Sequence, residues 1–439
     1  MTEPSDPNDP FGLGKLLGGL GFGAGGDPLT QLQRLLTWSG GPVNWDLASQ
    51  MARSAIADDD RPVTEQESRE VAEAGRLADV WLDPVTTLPA SGSEQLAWSR
   101  ADWLEETLPS WKLLVEPVAG RVITAMGTAM GTAMGSGALG EGLPPELSGM
   151  LSGLGANPLA GVMEQIGGLL FGAQVGMALG ALAADVLSTG DIGIPLGRTA
   201  LLPASVAALT EGLEVPPDEV RLYLALREAA HQRLFGHVPW LKAHLYDAVD
   251  AYARGIDVDP QALERAVESF DPTSPEGVRD ALTSGMFELE QTDAQRAALG
   301  RLELALALVE GWVDFVVDEA AARTLPHAAQ LRETVRRRRA TGGPGEQTFA
   351  TLVGLQLRPR RLREAAELWA ALTVSRGIDG RDALWAHPDL LPGPDDLDDP
   401  VSWASSTDPE GERDWDAGLR DLDKDVDGEL DEPGPPDPV

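Results

Sequence analysis

Apolar residues recur along this chain at three- and four-residue spacing. From Pro28 onward, "LTQLQRLLTW", "NWDLASQMARSAIA", "TEQESREVAEAGRLADVWLD" and "SEQLAWSRADWLEETLPSWKLLVEPVAGRV" carry that rhythm, punctuated by Gly and Pro. The pattern predicts a succession of amphipathic helices. Strand signals are sparse: "DIGIPL" and "TALLPASVAAL" are the best short ones, and long alternating runs are absent. The expected fold is mainly α, with at most a few short strands.

Two stretches depart from ordinary amphipathic patterning. "TAMGTAMGTAMG" places Gly127, Gly131 and Gly135 four apart, and "IGGLLFGAQVGMALGALAADV" does the same with Gly168, Gly172, Gly176 and Gly180. In a helix each becomes a stripe without side chains, against which a second backbone packs closely, a pattern best known from membranes. A membrane span is rejected for the second stretch. It is mostly Gly and Ala, carries Gln174 midway, is bounded by Glu164 and Asp185, and lacks a flanking basic cluster. A buried helix with a glycine contact face is expected instead.

Composition shifts suggest four regions: a flexible Gly/Pro-rich N-terminus over 1–30, a helical region over 31–120, a helical core over 121–390, and a disordered acidic tail over 391–439. Within the tail, "DKDVDGELDE" from Asp423 starts like a calcium loop, with Gly428 at the sixth position. The twelfth position is Gly434 rather than a bidentate Glu, which favours a solubilising tail.

The chain has 439 residues, a formal net charge of −36 and no cysteine. Such a field repels phosphate, so neither nucleic acid nor anionic lipid is an expected partner. Without thiols, any metal must be held by histidine and carboxylate, and a reducing cytoplasm is the expected location. The N-terminus lacks the basic flank and apolar core of an export signal. The basic clusters Arg336 to Arg339 and "RPRRLRE" are read as solvated helix faces beside Glu333, Glu364 and Glu367.

Candidate chemistry centres on "REAAHQRLFGH", Arg227 to His237. Its helix is expected to start near Pro217 and Asp218 and to end near Gly236, with Pro239 beyond. One face then reads Val220, Leu224, Arg227, His231 and Leu234, so Arg227 and His231 point inward, with Glu228 beside them. A buried arginine demands a carboxylate. In "LALALVEGWVDFVV" the only charges are Glu310 and Asp314, one turn apart, and they require a cation: a metal ion or Arg227 itself.

The arrangement resembles the zincin metallopeptidases, whose HExxH helix supplies two zinc-binding histidines and a general-base glutamate. Here the motif reads Arg227, Glu228, Ala229, Ala230, His231. One zincin branch takes its third ligand from an ExxxD helix, which Glu310 and Asp314 match. Another extends to HExxHxxGxxH, and His237 falls on its last position with Leu234 in place of the glycine. Together with "FGAQVGMALGALAADVLS", "LREAAHQRLFGHVPWL", "VEGWVDFVVDEAAA", "GGPGEQTFATLVGLQLRPRRLREAAELWAAL" and "GRDALWAHPDLLP", these stretches resemble the bacterial zincin-like, zinc-dependent metalloprotease family. That resemblance implies a zincin-like helical fold, a hydrolase, a zinc cofactor and a peptide or protein substrate.

Two readings follow. In the first, His231, His237 and Glu310 hold zinc on an open-sided site, Glu228 is the base, and Asp314 supports a ligand. In the second, Arg227, which has no lone pair for a metal, pairs with Glu310 or Asp314 and silences the site, leaving a binding or scaffold protein. Taken singly, His231 is an ordinary hydrogen-bonded core histidine, and His237 suits a helix C-terminus by charge alone. His244, His327 and His387 have no acidic partners evident in the sequence.

Overall fold

The computed structural model describes residues 41–135, 156–256, 292–340 and 361–406. The tail's calcium-like stretch and the N-terminal 30 residues lie outside them.

Side-chain caps set the first helices. Asn44 accepts the Leu47 N–H at 3.0 Å and opens α1 (Trp45–Ile56), while Thr64 and Glu67 form a reciprocal capping box at α2 (Glu65–Leu82). The two-residue strand β1 (Leu96–Ala97) leads into α3 (Arg100–Gly135), where Ser99 and Asp102 cap each other. Pro109 and Pro117 lie inside α3 without ending it. Then come α4 (Ala156–Asp185), β2 (Ala200–Leu201), α5 (Pro203–Thr210), α6 (Pro217–His237) and α7 (Pro239–Arg254). A second capping box, Thr292 with Gln295, starts α8 (Asp293–Ala321), followed by α9 (Ala328–Ala340). In α10 (Leu362–Asp382), Gly377 at φ 71° breaks the helical path, and 3-10 turns lead to α11 (Pro400–Ser405).

Helix α8 is the spine. It packs against α6, α7 and α10 and touches α2 and α9, while α2 covers α6 and α11 lies on α10. Trp103, Trp111, Trp312 and Trp369 are fully buried, and one hydrophobic cluster runs from Val43 to Ala404. That cluster crosses residue 120, where the sequence suggested a boundary. It also passes residue 390: Leu397 and Ala404 are buried, so the ordered chain reaches beyond 391, where the acidic tail was expected to begin. Apolar residues spaced through 397–404 outweigh the surrounding acids.

The fold is mainly α, as expected, and the strands described are short. β1 and β2 pair in parallel, Leu96 with Ala200 and Ala97 with Leu201, and Ser188 bridges to Leu201 antiparallel. "DIGIPL" forms turns and irregular backbone, not a strand. Positions 167–185 of α4 are long and apolar enough to cross a membrane by length and composition, yet 59% of that window is buried inside the protein. Its glycine stripe lies on α1: a Cβ added at Gly172 would come within 2.6 Å of the Asn44 carbonyl oxygen, and one at Gly176 within 2.6 Å of that of Ala48. The other stripe, Gly127 to Gly135, forms the end of α3.

Candidate functional site

Helix α6 runs over the residues its pattern predicts. Proline at the first position and Asp218 and Glu219 in the first turn suit its start, and Pro239 begins the next helix just beyond its end. Val220, Leu224, Arg227, Glu228, His231 and Leu234 are all buried. Across from them, Glu310 and Asp314 are buried in the apolar stretch of α8. Arg227 spans the pair: one terminal nitrogen donates to Asp314 Oδ1 and the other to Glu310 Oε2 at 2.9 Å. Each contact is a charge-assisted hydrogen bond, and the one guanidinium is shared between two carboxylates rather than paired in bidentate fashion with either.

His231 is engaged at both ring nitrogens. Nδ1 lies 2.9 Å from the Arg227 carbonyl oxygen and Nε2 lies 3.0 Å from Glu310 Oε1. Both partners are acceptors, and a neutral imidazole donates to only one of them. Glu228 points away to the loop after α4, where it accepts from the Thr189 hydroxyl and from the Gly190 N–H at 2.8 Å. Thr189 in turn accepts the Ala200 N–H at 3.1 Å, which ties this loop to β2. The backbone comes so close that a Cβ on Gly190 would lie 2.8 Å from Glu228 Oε2, and one on Gly193 2.8 Å from Glu310 Oε1.

The arginine cluster of α9, expected to be a solvated face, belongs to the site. Arg339 donates to Glu310 Oε2, and Arg336 to Asp314 Oδ2 at 3.2 Å. Arg338 pairs with Asp191 at 2.8 Å, and Arg332 with Asp318 at 2.9 Å. Arg337 behaves as expected, pairing with Glu333 along the surface, and Arg336 is exposed as well although its Nε reaches Asp314. A signal for this was present in the sequence. Leu331 and Val335 form the buried stripe of α9, and Arg338 and Arg339, three and four residues further, continue it. Thr189, Gly190 and Gly193 carried no such signal, because a loop has no periodicity. His327, which had no evident partner in sequence, pairs with Glu219 at 3.1 Å on the first turn of α6.

The electrostatics follow from burial and pairing. Burial pushes Glu310 and Asp314 up, but the guanidinium charges (with His231, for Glu310) outweigh it and hold both carboxyls below their usual range. Glu228 is fully buried without such a cation, and desolvation leaves it raised despite His231, Thr189 and Gly190.

Zinc does not fit this donor set. A three-ligand site from His231, His237 and Glu310 was one expectation; His237 is instead exposed at the end of α6, six residues beyond His231. Glu310 already receives Arg227, Arg339 and His231, and the residue in the first-histidine place is a permanent cation with no lone pair. Among the described residues, no group of three or more His, Cys, Asp or Glu side chains is placed to hold a metal ion.

Comparison with known proteins agrees with the helical architecture. A crystal structure from Chloroflexus aurantiacus, described provisionally as a hydrolase with a novel fold, superposes with a TM-score of 0.57 and 21% identity, covering 84% of this chain and 100% of that one. That likeness concerns the fold. No curated protein matches the sequence. A family model described as zincin-like metallopeptidase matches residues 43–404, which take in α1 through most of α11 and every side chain of the Arg227 site. The chain belongs to the zincin-like metallopeptidase family.

Proposed function

We propose that this chain is a zincin-like protein whose peptidase site has been silenced, with a guanidinium in the place of the metal. One observation carries the reading: Arg227, at the first position of the HExxH-like motif, is forked across Glu310 and Asp314. In a working zincin the metal polarises water and the motif glutamate takes its proton. Here the positive charge in the same place is fixed, has no open coordination position, and binds no water as hydroxide. Glu228, the residue matching the base, is bonded to Thr189 and Gly190. The role left to such a fold is recognition, as a cytoplasmic binding or scaffold protein with a peptide or protein ligand.

The competing reading is an active zinc peptidase using His231, Glu310 and a relocated His237. Elemental analysis of purified protein separates the two. The proposal expects far less than one zinc per chain and no peptide hydrolysis; near-stoichiometric zinc that disappears on His231→Ala would overturn it.

A further inference from the structure

Each carboxylate of the α8 pair is held by two arginines. Glu310 receives Arg227 from α6 and Arg339 from α9, and Asp314 receives Arg227 and Arg336. The inner guanidinium has a side chain 6% exposed, whereas Arg336 is 42% exposed. Helix α9 is attached through Leu331 and Val335, with Ala328 packed against the core at its start, and by its arginines. Besides Glu310, Arg339 donates to the Asp191 carbonyl oxygen at 3.1 Å, and Arg338 binds the Asp191 carboxylate and the Asp185 carbonyl oxygen. Helix α9 therefore bridges α8 and the loop after α4, the two walls that flank Glu310.

We propose that α9 is a cationic strap that closes the Glu310 carboxylate to a divalent cation independently of Arg227. The inference rests on the reading of the Arg227 site given above. With Arg339 in place, an arriving cation meets a carboxylate already neutralised and a second fixed positive charge beside it. Undoing the Arg227 replacement alone therefore leaves the site shut. With the strap's arginine gone as well, His231 Nε2 and Glu310 Oε1, 3.0 Å apart, are near enough to share one ion. Position 227, one helical turn before His231, is where a histidine would join them.

The test uses the full chain, stripped with chelator and titrated with Zn2+ alone. Arg227→His is expected to take up little zinc and to keep a melting temperature indifferent to it. The double variant Arg227→His with Arg339→Gln is expected to bind roughly one equivalent and to gain thermal stability with zinc concentration, as linkage requires. Should that variant be unfolded when metal-free, zinc-dependent recovery of helical circular dichroism is the same readout. A further variant, Arg339→Gln alone, retains Arg227 and reports on the strap directly: amide exchange over 331–339 is expected to rise roughly tenfold. Full zinc binding by Arg227→His, or no zinc binding by the double variant, or unchanged exchange in Arg339→Gln, overturns the strap. Zinc on the unmodified chain instead overturns the reading of the Arg227 site, so the two failures are distinct.

Discussion

At Arg227 a permanent charge that is 5% exposed is met by two carboxylates, so removing one of them strands part of a cation that cannot lose its proton. Asp314→Ala is accordingly expected to destabilise the fold at neutral pH by about 3 kcal/mol, read as a shift in the urea midpoint. An unchanged midpoint would mean that the pair contributes nothing. Since Asp314 is held below the usual carboxylate range, its contribution is present above the unfolded value and fades as pH falls through the lower folded one. Glu228 behaves in the opposite sense. Burial raises its folded value above that of the unfolded chain, so the stability linked to its proton is complete below about pH 4.3 and is lost as pH rises through the folded value. Glu228→Gln removes that loss while keeping a polar group for Thr189 and Gly190. It is expected to raise the melting temperature at pH 8 and to change it little at pH 4; a gain of equal size at both would exclude titration of Glu228 as the cause.

At the scale of helices, the same residue type has opposite value at two positions. Gly176 lies where α1 crosses α4, and a Cβ there would meet the Ala48 carbonyl oxygen at 2.6 Å and Met51 Cβ at 2.7 Å. Backbone cannot yield as a side-chain tip can, so Gly176→Ala should cost about 1–3 kcal/mol. Gly300, in the first third of α8, has nothing within 4 Å of such a Cβ, and Gly300→Ala should stabilise by about 0.4–1 kcal/mol through the unfolded chain's lost freedom. Thermal unfolding of the two variants, expected to move in opposite directions, checks the packing of α1 on α4. Much at this scale was legible in the sequence. The limits of α6 followed from its prolines and acids, and spacing placed Arg227 and His231 inside. Spacing did not show that Tyr223, Leu226 and Arg233 are buried too, so that the helix is enclosed on more than the face read from the pattern. Glu310 and Asp314 stood out as the only charges in an apolar run. Helix α9 was misread because four consecutive arginines suggest solvent, although the Leu331–Val335 stripe turns two of them inward.

Apart from the pairing of Arg227 with Glu310 and Asp314, which charge matching suggested, the sequence could not supply adjacency across the whole molecule. The glycine stripe of α4 announced a close neighbour without naming α1, more than a hundred residues earlier. β1 is two residues long and exists because β2 pairs with it, so it left no pattern to read. The Asp382 carboxylate, which accepts from Thr86, Thr87, Trp312 and Arg381, joins α10 to the loop after α2 and to α8, and nothing local to Asp382 marks it. Charge, by contrast, is a property of the whole chain that composition does give. A net charge of −36 works against compaction, because carboxylates left over after every cation is matched repel one another. Salt screens that repulsion as the Debye length shrinks from about 30 Å at 0.01 M to about 3 Å at 1 M. It also weakens exposed pairs such as Arg53–Glu105 and Arg76–Glu94, but each of those contributes only about 0–1 kcal/mol. The Arg227 site is buried and screened far less. Repulsion should therefore dominate the response, and the melting temperature is expected to rise as sodium chloride increases over that range. A fall would show that exposed ion pairs, rather than the excess of acid, govern the stability of this fold.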